Sequence, residues 1–226
     1  MATLQLAKSA RRKIETGDKV LCGVDVVDTT PIANRVTAFQ KVHTQYTLAE
    51  SAVRTANRTV DEQRTRLADA RDTMNRAVEV LAVQLPTEGF DRKQPFRALG
   101  RPSPSVLQKM PHVKAAEEVI ALEKAVKQHA GISAKTNHAA DVAGQAAHAL
   151  LDLVEPYAES EKARRDAMAK RDALAAPWEK AFSSLKLGAR AADDIGHLGL
   201  FAALFERPAV AKKKMPPALR NGGDKP

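Results

Sequence analysis

Apolar positions recur along residues 32–84 at alternating steps of three and four. One set is Ile32, Phe39, Tyr46, Val53, Val60, Leu67, Met74 and Leu81, and the interleaved set is Val42, Ala49, Ala56, Gln63, Ala70, Ala77 and Gln84. Neither proline nor glycine interrupts the stretch between Pro31 and Pro86, while Thr30 suits a helix cap and Pro31 a first helical position. The spacing predicts one long helix over 31–85. Large residues hold one seam position and alanine most of the other, so a second helix can approach closely, which favours antiparallel pairing.

The partner should be small as well, and residues 131–149 are nearly all small. Gly131 and Gly144 each cost a helix about 1 kcal/mol relative to alanine. They make sense where two backbones come close, although Gly131 can equally end a helix. Residues 112–130 read as a connecting helix. Helical spacing then continues through Tyr157, Arg164, Met168, Leu174, Trp178, Phe182 and Leu185, with Pro156 and Pro177 placed to kink or end it.

These elements predict an all-α fold: an elongated antiparallel bundle of long helices with short apolar helices at the ends. The expected organisation is an N-terminal arm over 1–30, a bundle over 31–208 and a disordered basic tail over 209–226. Within the bundle lie the 31–85 helix, a proline-rich strap over 86–111, helices over 112–187 and a short terminal helix over 188–208. The strap contains five prolines and two glycines, and Phe90, Phe96 and Leu99 favour its docking on the bundle. For the terminal helix, Asp193 or Asp194 is the expected cap, and Ile195, Leu198, Phe201, Leu204 and Phe205 supply an apolar face. Pro208 is the expected end, and the element reads as a plug. In the arm, "DKVLCGVDVVDTT" has strand-like character without a second strand to pair with.

A shift of 100 residues aligns the two halves without gaps and gives nine identities over residues 32–85, among them Arg71-Asp72 with Arg171-Asp172. "FRALGRP" at 96–102 and "FAALFERP" at 201–208 echo each other. Both features fit an internal duplication, and chance matches between alanine-rich helices fit them as well.

Composition narrows the core. Apolar residues reach 44% mainly through alanine and valine while aromatics are 4%, which favours thin, closely packed helical layers. The net charge of +9 divides unevenly: +1 over 1–30, +5 over 31–111, −2 over 112–156, +1 over 157–208 and +4 over 209–226. That pattern fits an anionic partner and equally fits simple solubility. The sole cysteine, Cys22, has no internal partner, no apolar run reaches the roughly 18 residues that span a bilayer, and the N-terminus lacks a signal-like apolar centre. A cytoplasmic protein without a membrane partner is the expectation. The lysines after the terminal helix could meet headgroups, but the run before them is too short to span.

Site chemistry is sparse. His138, Asp141 and His148, and Asp194 with His197, fall at helical spacings, but no Glu-x-x-His pair occurs. Solvated histidines are the simpler reading, so neither metal nor cofactor is expected. There is no phosphate loop and no nucleophile elbow. The best reading is a non-enzymatic structural or adaptor protein acting through a protein partner or self-association. Phe96, Leu99, Phe201, Leu204 and Phe205 are its candidate partner or packing residues. The alternative is sequence-independent nucleic-acid binding through Arg54, Arg58, Arg64, Arg66, Arg71 and Arg76 with Lys212, Lys213 and Lys214. Against it, Glu50, Glu62 and Asp72 stand four residues from arginines and should form ion pairs along the helix.

Overall fold

A computed structural model describes residues 9–206. Among these residues the chain is all-α, with no β-strand. The basic tail, Pro208 and Lys212 to Lys214 lie outside the described residues. The helices are α1 (Ala10–Val24), α2 (Ala33–Gln84), α3 (Pro104–Leu107), α4 (His112–Gln128), α5 (Ala134–Leu151), α6 (Val154–Ala173), α7 (Ala175–Asp194) and α8 (Leu200–Phe205). Two compact units form. The described residues up to Leu48 and from Asp172 make unit one, and Ala49–Arg171 make unit two.

Helix α2 follows the heptad reading. Every large seam residue from Ile32 to Leu81 is buried, Ala77 is buried with them, and Ala49, Ala56 and Ala70 are half-buried. In unit two, Leu67, Met74, Ala77 and Leu81 share a core with the small face of α5, Ala139, Ala140, Ala143 and Ala147, and with α4. Polar partners show the chain direction. Glu50 meets Arg171 at 3.3 Å, Arg64 meets Glu161 at 3.7 Å, and Glu88 accepts from Thr136 at 2.6 Å. As one number rises the other falls, so the helices run antiparallel.

Unit one has the same arrangement built from α1, the start of α2, α7 and α8. Arg35 donates to the Ser184 carbonyl at 2.8 Å, and Phe39 contacts the Trp178 and Phe182 rings at 5.6 and 5.9 Å. Here too the helices are antiparallel. Phe39, Tyr46, Trp178, Phe182 and Phe205 are all buried in this core, with Phe201 packed against it.

Several sequence expectations need correction. The strand-like stretch after Asp18 is helical through Val24. Ser9 caps α1 by accepting from Arg12 N, and Lys13, Gly17 and Val20 form its buried face at helical spacing. The described part of the arm, residues 9–30, therefore belongs to unit one. At the start of α2, Thr30–Ile32 is a 3-10 turn, and Asp28 supplies the capping carboxylate to Thr30 N and Oγ1 at 3.0 and 2.6 Å. Gly131 lies within the α4 to α5 connection with φ +85°, which resolves its role as a breaker. Gly144 is the close approach, and what it admits is the Glu123 side chain of α4.

The prolines act at a distance of one turn. Pro156 and Pro177 lack the N–H that would reach Asp152 and Ala173, and the breaks fall at Asp152–Leu153 and at Leu174. Each proline itself sits in the first turn of the next helix, where its missing donor is tolerated. The strap is docked. Phe96 and Leu107 are buried, and the Arg71 guanidinium donates to the carbonyls of Leu107 and Met110 at 2.6 and 3.1 Å.

Candidate interaction surfaces

The terminal helix is shorter than its sequence suggests. Helix α7 continues to Asp194, and glycines with positive φ, Gly196 at +109° and Gly199 at +90°, turn the chain before α8 begins at Leu200. Leu200, Leu204 and Phe205 are buried, so α8 does act as a plug on unit one. Ile195 and Leu198, expected on its apolar face, are instead 77% and 87% exposed.

Their loop is tied at both ends. His197 N reaches the Ala192 carbonyl at 3.0 Å and Gly196 N reaches Asp193 at 3.2 Å, while the Asp193 carboxylate accepts from Leu200 N at 2.8 Å and from Phe201 N. Asp193 is thus the cap, acting from inside the preceding helix. The result is a defined turn that holds two large apolar side chains in water. Val26, in the loop before α2, is also 81% exposed.

The other candidate packing residues are mostly committed to cores. Phe96, Leu204 and Phe205 are buried, and Leu99 and Phe201 are half-buried against the same clusters. Arg190 lies over the Phe201 ring at 4.6 Å, a cation–π contact. The core residues among them hold each unit together and leave little for a partner. Phe96, Leu99, Phe201, Leu204 and Phe205, expected as partner or packing residues, are found packed in the cores, and the structure exposes Ile195 and Leu198 besides. The two glycines flanking "HL" were the signal for that turn.

The arginines separate into three groups. Arg71 is buried, and burial pushes its guanidinium below its ordinary value, so it is a strap anchor and leaves the set of anion contacts. Arg54 pairs with Glu50, and Arg64 lies near Asp61 and Glu161, with Tyr157 holding its proton more firmly. Arg58, Arg66 and Arg76 are exposed, and among the described residues none has an ion pair within the usual limit. Arg54 and Arg58 share their groove with Asp61 and Glu62, whose charge opposes a phosphate.

The histidine positions are equally plain. Asp141 pairs with Lys127 at 2.5 Å, and that carboxylate, then Glu123, raises the lysine above its ordinary value. His138 and His148 are exposed. Among the described residues no group of three His, Cys, Asp or Glu could hold a metal ion. Likewise, among these residues no helix is long and apolar enough to cross a membrane.

Unit one also contains a buried polar cluster that sequence reasoning missed. His43 lies over Gly17, where any Cβ would run into the imidazole ring. Trp178 Nε1 donates to His43 Nδ1 at 3.1 Å, and His43 Nε2 meets Asp18 Oδ1 at 2.9 Å. One turn earlier, buried Lys13 pairs with Glu179 at 2.6 Å and lies 5.8 Å from the Tyr46 ring centre. No local motif announces these contacts, because they join residues from 25 to 166 positions apart.

No known family, curated protein or solved structure matches this chain.

Proposed function

We propose that this chain is a non-enzymatic helical adaptor that works through protein contact. The turn carrying Ile195 and Leu198 carries this reading. Ordered apolar side chains in water are costly to maintain and gain free energy when a partner covers them. A mobile loop could hide such residues, but this one is fixed by Asp193 and by the Ala192 carbonyl.

The test is a pair of substitutions, Ile195→Asp with Leu198→Asp, in the full chain. Both positions are exposed, so circular dichroism and thermal unfolding should stay unchanged. Self-association by analytical ultracentrifugation, or capture of a partner from native extract, should fall at least about tenfold, as loss of a central apolar contact typically gives. If the double variant associates as the parent does, or if neither associates with anything, the adaptor reading fails.

Nucleic-acid binding is the second reading, supported by the exposed Arg58, Arg66 and Arg76 of α2. It requires affinity for duplex DNA or RNA that falls steeply with salt, and a shallower salt slope when these three become glutamine. No binding at low salt removes it.

A further inference from the structure

We propose that α1 is a lid on the aromatic core of unit one, and that His43 is its proton-sensitive latch. The inference goes beyond the adaptor reading and concerns unit one alone.

The hydrogen-bond chain fixes the imidazole's state. An indole N–H can only donate, so the Nδ1 that receives it from Trp178 must be unprotonated. The ring's one proton is then on Nε2 and is donated to Asp18. Neutral His43 satisfies both neighbours at once.

A second proton breaks this arrangement. Nδ1–H would face the Trp178 N–H at 3.1 Å, two donors with no acceptor between them. The side chain is only 5% exposed, so water cannot easily take over the lost bond. Other charged groups face the same interface. Asp18 favours the added charge, but it is 61% exposed and its attraction is weakened by solvent. Lys13 on α1 opposes the charge, and Glu179 on α7 is already paired with Lys13. Tyr46, on the histidine's own helix, completes the surroundings beside Trp178. The donor conflict is buried, whereas the Asp18 attraction acts through solvent. Protonation therefore favours the state in which His43 is released to water.

Helix α1 combines these polar contacts with few fully buried side chains. Lys13, Gly17 and Val20 are its fully buried positions, Val20 the one apolar side chain among them, while Ala10, Ile14, Leu21 and Val24 pack half-buried on the same core and Gly23 lies against Leu204 of α8. Helix α4, which likewise precedes a long helical run, buries Ala115, Ala116, Val119, Leu122 and Val126. Helix α1 thus rests on polar contacts and partial apolar burial, where α4 rests on full apolar burial. Opening would uncover Phe39 and Trp178.

Trp178 is the chain's only tryptophan, so its fluorescence reports on the latch directly. In the intact chain, lowering the pH from about 8 to about 5, the span in which imidazoles titrate, should change Trp178 emission in one step. Hydrogen exchange in α1, corrected for its intrinsic pH dependence and referenced to α4, should rise by up to about tenfold per pH unit. His43→Gln, which can accept from Trp178 and donate to Asp18 without titrating, should remove both changes. Nitrogen-15 NMR of the parent at high pH should show His43 protonated on Nε2 alone, a readout that does not depend on the variant folding. A proton on Nδ1, an emission and exchange profile flat over this range, or a step that persists in a folded His43→Gln variant overturns the proposal. None of these measurements involves a partner, so failure here leaves the adaptor reading intact, and failure of partner binding leaves the latch intact.

Discussion

Gly17 and Gly144 both sit in helices where a larger residue crosses them, and the difference between those residues decides what a methyl group would do. At Gly17 the obstacle is a His43 ring held by two hydrogen bonds. At Gly144 it is the far end of Glu123, which can swing into water. Gly17→Ala should therefore cost about 1–3 kcal/mol through overpacking. Gly144→Ala should be near neutral, because the helix gains about 1 kcal/mol in propensity as the Glu123 contact with Lys127 loosens. Denaturant titration of both variants checks the contrast. Equal costs would show that the His43 site is as pliable as the Glu123 site.

Glu88 gives a prediction in pH. The hydroxyls of Ser133 and Thr136 donate to its carboxylate and hold its carboxyl below the ordinary value of 4.5. A depressed acid stabilises the fold above its unfolded value and loses that contribution as the pH falls through its folded one. The stability difference between the parent and Glu88→Gln should then favour the parent at neutral pH and shrink between about pH 5 and about pH 3. Thermal unfolding across that range measures it, and a constant difference would contradict the hydroxyl account.

At the level of elements, the long helix was legible because its buried positions follow a fixed spacing with nothing to break it. The large seam residues of α2 are all buried, and the alanine seam is at least half-buried. Ala77→Leu should destabilise by about 1–3 kcal/mol, since the buried seam has no room for it. Ala52→Leu, on the exposed side of the same helix, should stay within about 0.5 kcal/mol of the parent. Similar costs at both positions would mean the seam is loosely packed.

Other elements were harder to read for identifiable reasons. The run of valines around Cys22 resembles a strand locally, but Lys13, Gly17 and Val20 face one side only once His43 fills the space that Gly17 leaves. That packing comes from residues far along the chain. The end of α7 was misplaced because uncharged residues continue past Asp194, while backbone dihedrals at Gly196 and Gly199 divide them into a turn and a helix. Arg71 looked like its neighbouring arginines, and only the returning strap shows that it is buried.

Across the whole molecule, the order of elements repeats. A helix, α1, precedes the long α2 and the short turn Arg97–Leu99; a second helix, α4, precedes the α5 to α7 run and α8. Unit one joins α1 to α8, and unit two joins α4 to the Arg97–Leu99 turn, so each unit draws on both halves of the chain. The echoed "FRALGRP" and "FAALFERP" segments thus take corresponding places. A duplicated ancestor would leave this pattern. The two units differ where it matters for opening, with aromatic and polar groups around α1 and mainly aliphatic ones around α4.

That divergence can be measured on the intact chain at neutral pH by hydrogen exchange with mass spectrometry, comparing peptides from α1 and α4. Helix α1 has one fully buried valine, worth about 1.5–3 kcal/mol, with Ala10, Ile14, Leu21 and Val24 half-buried beside it, against five fully buried apolar residues in α4. Amides of α1 should be less protected than those of α4 by about tenfold or more, exchanging through local opening. Equal protection of the two helices, or stronger protection of α1, would contradict the account.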